Sequence, residues 1–382
     1  MKSFRQFIQR MREKYEPVDR LASFVTRGRE KKYGLKRYKS IWAGSVFALL
    51  LIGLIALGIY STVERVSDLG LVPGSSDLAQ AVEDPRHPLT GERIAEPYKT
   101  LPQVFGVMVE NSSDAWPLVG LDQAFLVIEA PVEAGIPRLL AFFSEESEVE
   151  KIGPVRSARA YYLDWNDELD AVYAHVGGSP EAMDFIKYDY DTIDLDQFWQ
   201  REYFYRTNHL RYAPHNVFTS SELLIYALDE FNLDQPSYDL WTFKDDHPVE
   251  QDTQSLKVDF VQGNTYDIDW RYDPETNTYT RYEGGSLMEM EDGAQTIANN
   301  IVVIATDIRT IDHLGRKRIM TVGEGDALIA QDGEVFLGRW KKDQRTGRLK
   351  FFTHDGFEIS MNAGATWIEI VSSLSQVEPY QE

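Results

Sequence analysis

The amino-acid sequence predicts an α+β protein with a single N-terminal transmembrane helix, a mixed α/β domain and a β-rich antiparallel domain. One observation behind this prediction is an uncharged apolar run of twenty residues at 41–60. A second is the alternation of short β-forming runs with amphipathic helical stretches over residues 101–235. The third is a series of strand-like runs, separated by turn residues, over residues 236–372.

The apolar run at 41–60 is long enough to cross a membrane. A helix rises about 1.5 Å per residue, so this segment would span a hydrocarbon core of roughly 30 Å. Trp42 and Tyr60 stand at its two ends, where aromatic side chains favour the lipid headgroups. A buried core helix is the alternative, but such helices usually carry a polar stripe, which this run lacks.

Charge is distributed unevenly around this run. Residues 1–40 contain 13 Lys and Arg and four acidic residues, whereas 26 basic and 57 acidic residues follow the run. Basic residues beside a span stay in the cytoplasm, so we expect a cytoplasmic tail at 1–40 and extracytoplasmic domains in a single-pass protein of the cell membrane. A cleaved secretory signal is the alternative, although forty residues would be a long basic region for one.

The composition limits the chemistry of the chain. There is no cysteine, which excludes disulfides, thiol nucleophiles, Cys-ligated zinc and a lipidated N-terminal cysteine. The part after the apolar run carries a net charge of −31 and would repel polyphosphate, so we expect no nucleic-acid partner.

The chain after the span divides into a linker and two domains. Residues 61–100 are rich in Ser, Asp, Gly and Pro and are expected to form a stalk. In the α/β domain at 101–235, strands are predicted at 104–111, 124–130, 138–143 and 171–176, and helices at 157–169, from 179 onward and at 219–231. Ser157 is the expected cap of the first helix, and Pro180 the expected first residue of the second.

The β-rich domain at 236–372 is predicted from nine strand-like runs. These runs lie at 257–261, 266–273, 278–285, 301–305, 318–323, 326–331, 334–340, 349–353 and 367–371. Turn pairs such as Asp332-Gly333 separate them at hairpin spacing, which predicts an antiparallel barrel or sandwich. The acidic tail at 373–382 is expected to be disordered.

Three polar motifs of the α/β domain could form a site. In the first, GPVRSAR, Arg156 and Arg159 lie three residues apart at the predicted start of a helix. Two guanidinium groups and the free N–H groups of a helix start would together bind a carboxylate or a phosphate. The alternative is that both arginines pair with the many acidic residues of the domain.

The second and third motifs contribute histidines. In AHVGGSPEA, a strand ends in His175 and a glycine turn opens a helix at Ser179, which would expose a side chain or an anion-binding nest at the strand end. A histidine at a strand end is more often structural. In RYAPHNVFTS, His215 and Asn216 precede a helix, and His215 could equally be an ordinary hydrogen-bonding residue.

Together with the upstream stretch EAPVEAGIPRLLAFF, these motifs resemble the YerB-like family of bacterial cell-envelope proteins, DUF3048, over about residues 103–371. The resemblance implies an N-terminal α/β domain and a C-terminal β-rich domain in proteins that are usually exported and often lipid-anchored. It implies no particular reaction. The polar positions that it carries over are Glu129, Glu133, Arg138, Arg156, Arg159, His175, Ser179, Pro214, His215 and Asn216.

Two features depart from the family pattern. Where the family tends to have E-G-G-I-T-R, this chain has E-A-G-I-P-R at 133–138, so one hydroxyl and one backbone N–H are missing from that turn. The anchor also differs, because a transmembrane span takes the place of a lipidated cysteine.

From these observations we expect a membrane-anchored, extracytoplasmic binding or scaffold protein of the bacterial cell envelope. Convergence of the motif arginines and histidines would create a positive pocket on an otherwise acidic protein. Such a pocket suits an anionic ligand: a peptidoglycan peptide carboxylate, the phosphate of another wall polymer, or an acidic loop of an envelope protein.

The alternative function is a cell-wall-directed hydrolase or transferase. Ser179 or Ser157 could act as a nucleophile beside a histidine, or Glu129 and Glu133 could act as paired carboxylates. No G-x-S-x-G, S-x-x-K, H-E-x-x-H or P-loop motif is present, so catalysis is less favoured and no cofactor is expected. The acidic run at 189–196 lacks the glycine and the final glutamate of a calcium-binding EF-hand, so no metal site is expected.

Overall fold

The chain forms a strand-rich mixed α/β fold with few helices over the residues described by the computed structural model, 85–260 and 265–381. The predicted cytoplasmic tail, the predicted transmembrane helix and most of the predicted stalk lie outside these residues. Within 85–260 and 265–381, no helix is both long and apolar enough to cross a membrane.

Helices are short and strands are numerous in the described ranges. The α-helices are α1 (Ala160–Asn166), α2 (Pro180–Asp184) and α3 (Ser221–Phe231), and a π-helical turn, Phe185–Asp189, continues α2. The strands before residue 240 are β1 (Val104–Val109), β2 (Leu126–Pro131), β3 (Pro137–Ser144), β4 (Val172–His175), β5 (Ile193–Asp196), β6 (Tyr205–Arg206) and β7 (Val217–Phe218). The later strands are β8 (Phe243–Lys244), β9 (Gln254–Asp259), β10 (Asp267–Asp273), β11 (Thr278–Glu283), β12 (Ser286–Leu287), β13 (Ile297–Ala298), β14 (Asn300–Ala305), β15 (Ile308–Thr310), β16 (Lys317–Ile319), β17 (Gly323–Gln331), β18 (Glu334–Lys342), β19 (Lys350–Phe352), β20 (Met361–Asn362), β21 (Thr366–Val371) and β22 (Val377–Gln381).

One mixed sheet of ten strands runs through both predicted domains. Its order is β19-β18-β17-β14-β21-β2-β3-β1-β4-β5, with half of the strands from each side of residue 235. The two halves join where β2 and β21 pair in parallel, which places Glu129 beside Glu369. The described residues, 85–260 and 265–381, accordingly belong to one compact unit.

Both faces of this sheet are covered. A second sheet, in the order β12-β11-β10-β9-β22, packs on one face, where the rings of Trp270 and Trp367 lie 5.2 Å apart. Helix α3 covers the same face through Ala227, and α1 covers the opposite face through Trp165. Because the central strands are buried on both faces, their side chains do not alternate between apolar and polar, and their sequences are nearly continuous apolar runs.

The predicted helices are found in place, with one correction at a cap. Helix α2 begins at Pro180 with Ser179 as its N-cap, as predicted. Helix α1 begins at Ala160 with Arg159 at the N-cap position, so the predicted cap Ser157 lies outside the helix. The segment before α1 is held extended by backbone pairing with three neighbouring segments, the end of β1, β7 and the turn at Gly177–Gly178, so the helix starts later than predicted.

The β-rich half contains the predicted strands, with a more complex pairing than expected. The turn Asp332-Gly333 joins β17 to β18, and both residues have positive φ angles, 55° and 80°. Such a pair matches the right-handed twist of a hairpin. The expectation of a purely antiparallel domain is wrong, because β14 and β21 run parallel.

Both ends of the described chain are packed, contrary to expectation. The tail expected to be disordered forms β22, which pairs with β9 along its whole length. Before residue 101, in the predicted stalk, Leu89 is buried, and Arg86 and Arg93 both form ion pairs with Asp245 at 2.5 and 2.8 Å. The polar composition of this segment does not predict these contacts, because one apolar side chain and two ion pairs are enough to hold a short segment against the fold.

A buried ionic cluster fastens residues 342–349 to the end of α1. The carboxylate of Glu168 is fully buried and accepts hydrogen bonds from Lys342 Nζ at 2.7 Å, from Arg348 Nη1 and from the backbone N–H of Leu349 at 3.1 Å. Lys342 is also fully buried. Loss of one partner from such a cluster leaves the opposite charge buried and uncompensated.

We predict that Glu168→Ala lowers the free energy of unfolding by about 3–5 kcal/mol, because two cations lose their buried counter-charge. Asp343→Ala is the control, since that carboxylate is 76% exposed in its ion pair with Lys341 and should contribute about 1 kcal/mol or less. Urea unfolding of both variants measures the difference, and equal losses would contradict the structural role of Glu168.

Candidate functional site

A surface cleft of about 460 Å³ brings together parts of the predicted site. We call it the basic cleft after its three arginines, which three carboxylates accompany. It lies where the end of β1, the turn between β2 and β3, the segment before α1 and the loop before β7 meet. Its ionisable side chains are Glu110, Asp114, Glu133, Arg138, Arg156, Arg159 and His215.

The sheet explains why these segments meet. Strands β1 and β3 are neighbours, so the end of β1 lies beside the start of β3 and the turn that precedes it. The segment before α1 runs alongside the end of β1, where the N–H of Arg156 donates to the carbonyl of Met108 at 2.8 Å. Local pairing in the sheet therefore fixes three of the four walls.

Arg159 is paired with Glu133 in a two-pronged geometry. Its Nε lies 2.8 Å from Oε1, and its Nη2 lies 2.7 Å from Oε2. Burial raises the pKa of Glu133, but the hydrogen bonds and the charge of Arg159 outweigh that effect and hold the pKa below its ordinary value. The alternative of pairing with acids of the domain is therefore what the structure shows for Arg159, and also for Arg156, whose Nε lies 3.3 Å from Glu110.

Glu110 organises the opposite wall of the basic cleft. This buried carboxylate lies 3.3 Å from Arg156 Nε and 3.0 Å from His215 Nδ1, and it accepts a hydrogen bond from Ser112 Oγ at 2.9 Å. Within the described ranges, the two terminal nitrogens of Arg156 make no hydrogen bond. Glu110 is not among the residues predicted from the sequence, where the only signal is an acidic residue at the end of an apolar strand.

Arg138 is the least compensated charge of the basic cleft. It is 8% exposed, and its Nη1 donates to the carbonyl of Ser157 at 2.9 Å. No carboxylate of residues 85–260 or 265–381 lies within ion-pair distance of it. Burial, followed by the positive charge of Arg159, lowers the pKa of Arg138 to about 10. Buried charges are normally paired, so this arginine is an exception.

His175 and Ser179 do not line the basic cleft, contrary to the expected convergence. His175 is fully buried in β4, with Nδ1 2.8 Å from the carbonyl of Gly177 and Nε2 2.7 Å from Asp194 Oδ1. Ser179 Oγ accepts the N–H of Ala182 at 3.3 Å as the cap of α2. These two residues hold the glycine turn in place.

Asn216 also serves the scaffold. It is 3% exposed, and its side chain accepts a hydrogen bond from Arg206 Nη1 at 2.8 Å and donates to Asn208 Oδ1 at 2.6 Å. These bonds brace the loop that carries His215 into the basic cleft.

Glu129 lies in a different place from Glu133. Strand β2 ends at Pro131, and Ala134 adopts a left-handed conformation with φ 59°, so the four-residue spacing does not keep the two carboxylates on one face. Glu129 is fully buried between the sheets, 2.9 Å from Arg281. The structure therefore does not bring these glutamates together as a pair.

Arg281 is surrounded by three carboxylates. Its nitrogens lie 2.9 Å from Glu129, 3.3 Å from Glu283 and 3.2 Å from Glu369. Burial raises the pKa of Glu283 to about 7 despite the nearby arginine, and burial together with the charge of Glu129 raises the pKa of Glu369 well above its ordinary value. One guanidinium cannot balance three carboxylates, so the cluster retains protons near neutral pH.

We predict that stability falls as the pH rises from about 5 to 7, by up to about 1.4 kcal/mol per pH unit from Glu283 alone, with Glu369 adding to the fall because its pKa is raised as well. The folded state holds a proton on Glu283 up to a pKa of about 7, whereas the unfolded chain releases it nearer its ordinary pKa. Glu283→Gln should reduce this slope, while Glu324→Gln, at an exposed carboxylate, should leave it unchanged. Urea unfolding at a series of pH values measures the slope, and an equal slope in both variants would refute the assignment.

Comparison with known proteins identifies relatives along most of the chain. Residues 89–234 match the family described as a protein of unknown function (DUF3048), N-terminal domain, and residues 256–368 match its C-terminal domain. YerB of Bacillus subtilis (strain 168), named as a suspected lipoprotein, is 31% identical over 297 residues, covering 75% of this chain and 86% of YerB. The crystal structure of YerB from Bacillus subtilis superimposes with a TM-score of 0.69 and 28% identity, over 78% of this chain and 99% of that one.

Proposed function

Because this chain belongs to the DUF3048 family, we propose that it is a membrane-anchored, extracytoplasmic binding or scaffold protein of the bacterial cell envelope that holds an anionic group in the basic cleft. The observation that carries the proposal is Arg138. This arginine is buried, lines the basic cleft and has no carboxylate of the described residues within ion-pair distance, although the charge of Glu133 acts on it over a longer range. A carboxylate or phosphate of a ligand would supply the missing counter-charge.

Three arginines and three carboxylates, among them Asp114, line the basic cleft, so a ligand with no more than about one negative charge is favoured. Glu133 is occupied by Arg159, and Glu110 holds Arg156 through Nε alone. The terminal nitrogens of Arg156 are left as a second contact for the anion. Since the acids fix the other cations in place, the site is preorganised and need not rearrange on binding.

The location in the envelope rests on two supports. The predicted span at 41–60 follows a strongly basic segment, and basic flanks are retained in the cytoplasm. The relative YerB is named as a suspected lipoprotein, which is a second kind of membrane anchor at the outer face. Fitting ligands are a peptidoglycan peptide carboxylate, the phosphate of another wall polymer, or an acidic loop of an envelope protein.

The alternative function, a cell-wall-directed hydrolase or transferase, has no supporting contact in the described part of the chain. Ser179 acts as a helix cap, and neither it nor Ser157 is hydrogen-bonded to a histidine. Glu129 and Glu133 are paired with different arginines.

We predict that Arg138→Gln weakens anion binding by about tenfold or more, since a charge-assisted contact is lost. The probes are inorganic phosphate and N-acetylalanine, titrated calorimetrically into the full-length chain in neutral detergent. Arg309→Gln is the matched control, because Arg309 is 75% exposed and forms its ion pair with Asp307. The proposal fails if the unaltered chain binds neither probe, or if Arg138→Gln binds them equally well.

The same variant has a second expected property. Removal of an uncompensated buried cation should leave the midpoint of thermal unfolding unchanged or raised, unlike the loss seen for a paired charge. A lowered midpoint in Arg138→Gln would instead assign Arg138 to the stability of the fold.

A further prediction concerns topology. Protease added to intact cells should degrade the part of the chain after residue 60 and spare the segment 1–40, because the basic flank stays inside. Immunoblotting with antibodies to each part measures the outcome. Protection of both parts in intact cells, with digestion after lysis, would place the domains in the cytoplasm.

A further inference from the structure

Building on the proposed function of the basic cleft, we propose that its ligand is an extended peptide: a carboxylate enters the basic cleft, and a neighbouring apolar side chain enters a second cleft beside it. The second cleft has a volume of about 300 Å³. We call it the Trp116 cleft. Its apolar walls are Trp116, Pro117, Leu118, Leu287, Met288 and Met290.

The two clefts share a wall. Asn111 lines the basic cleft, and its Oδ1 accepts a hydrogen bond from Trp116 Nε1 at 2.9 Å. Its Nδ2 donates to Glu283 Oε1 at 2.8 Å, and both Trp116 and Glu283 line the second cleft. One asparagine and one indole therefore separate the two spaces. An extended peptide advances about 3.3 Å per residue, so residues close together in its sequence could fill both.

One loop also braces both clefts. Arg211 is 4% exposed; its Nε donates to the carbonyl of Ala115 at 2.9 Å, and its Nη2 donates to the carbonyl of Pro117. These bonds fix the chain on either side of Trp116. Four residues later, the same loop places His215 in the basic cleft. The relative position of the two clefts is thus set by buried hydrogen bonds.

A strand edge favours a peptide over a lipid. Strand β12, Ser286–Leu287, is the terminal strand of the second sheet, and both of its residues line the Trp116 cleft. A terminal strand presents unpaired backbone N–H and C=O groups, and extended peptides pair with such edges. The volume of this cleft is at the small end of ligand pockets, which suits a single side chain better than an acyl chain.

Charge complementarity completes the assignment. The Trp116 cleft offers aromatic and aliphatic groups together with the carboxylates of Glu283 and Glu289, so it would accept an uncharged side chain and repel a carboxylate, whereas the basic cleft offers Arg138. The ligand class that matches both is a peptide in which an apolar residue precedes, by one or two positions, a free carboxylate.

Three peptides test this on the unaltered full-length chain in neutral detergent: N-acetyl-Leu-Ala with a free carboxylate, N-acetyl-Gly-Ala with a free carboxylate, and the amide of N-acetyl-Leu-Ala. We call the two peptides with a free carboxylate the leucine acid and the glycine acid. We expect the leucine acid to bind at least about tenfold more tightly, because burial of the leucine side chain contributes free energy of that size. The amide should bind at least about tenfold more weakly than the acid. Calorimetric titration gives all three dissociation constants.

The outcomes separate this inference from the proposed function. Equal binding of the leucine and glycine acids would overturn the role of the Trp116 cleft and leave the basic cleft as an anion site. Absence of binding for all three peptides and for inorganic phosphate would overturn both. Binding of phosphatidylglycerol vesicles without binding of any peptide would overturn the peptide class.

A variant gives an independent readout. Leu287→Asn should abolish the preference for the leucine acid, because the apolar wall is lost without the addition of a charge that would repel either acid. Leu337→Asn, at a side chain that is 56% exposed on β18, is the control and should keep the preference. A preference retained in Leu287→Asn would overturn the assignment of this cleft.

Discussion

Arg281 neutralises carboxylates that the main sheet itself forces together. The parallel pairing of β2 with β21 sets Glu129 directly beside Glu369, and like charges opposite one another in a sheet are destabilising. Arg281 comes from the facing sheet, lies 2.9 and 3.2 Å from these two carboxylates, and stacks 4.8 Å from the ring of Trp367. The joining of the two halves and the packing of the two sheets therefore depend on each other.

A second buried arginine shows the opposite arrangement. Arg281 faces more negative charge than it can balance, whereas Arg138 has no carboxylate partner in the described chain. Both lie in the same unit, one between the sheets and one at a surface cleft. In the first arrangement, bound protons and the indole N–H groups of Trp270 and Trp367, which donate to Glu369 and Glu129, satisfy the excess carboxylates. The second has no such compensation at ion-pair distance, and the proposed anion site is based on this charge.

Local features of the fold could be predicted from the sequence, and contacts between distant segments could not. Apolar runs locate the strands, and Asp332-Gly333 identifies a hairpin, because the residues concerned are neighbours in the chain. The motifs identify Arg156, Arg159 and His215 as candidates, but their meeting in one cleft depends on the pairing of distant segments, which motif spacing does not reveal. Glu110 could not be predicted, because an acidic residue at the end of a strand has the same sequence pattern whether its side chain faces solvent or an arginine. The pairing of β2 with β21 has no local signal at all. The membrane span and its orientation lie outside the described residues and stay predictions.

The position of β21 has a consequence for how the protein is made. Strand β21 lies between β2 and β14 in the main sheet, although it is formed by residues 366–371 near the end of the sequence. A nascent chain that has emerged only as far as residue 235 exposes one long edge of β2 without its neighbour. The sheet can close only after the ribosome has translated almost the whole message, so premature termination anywhere before that strand leaves an incomplete and aggregation-prone product.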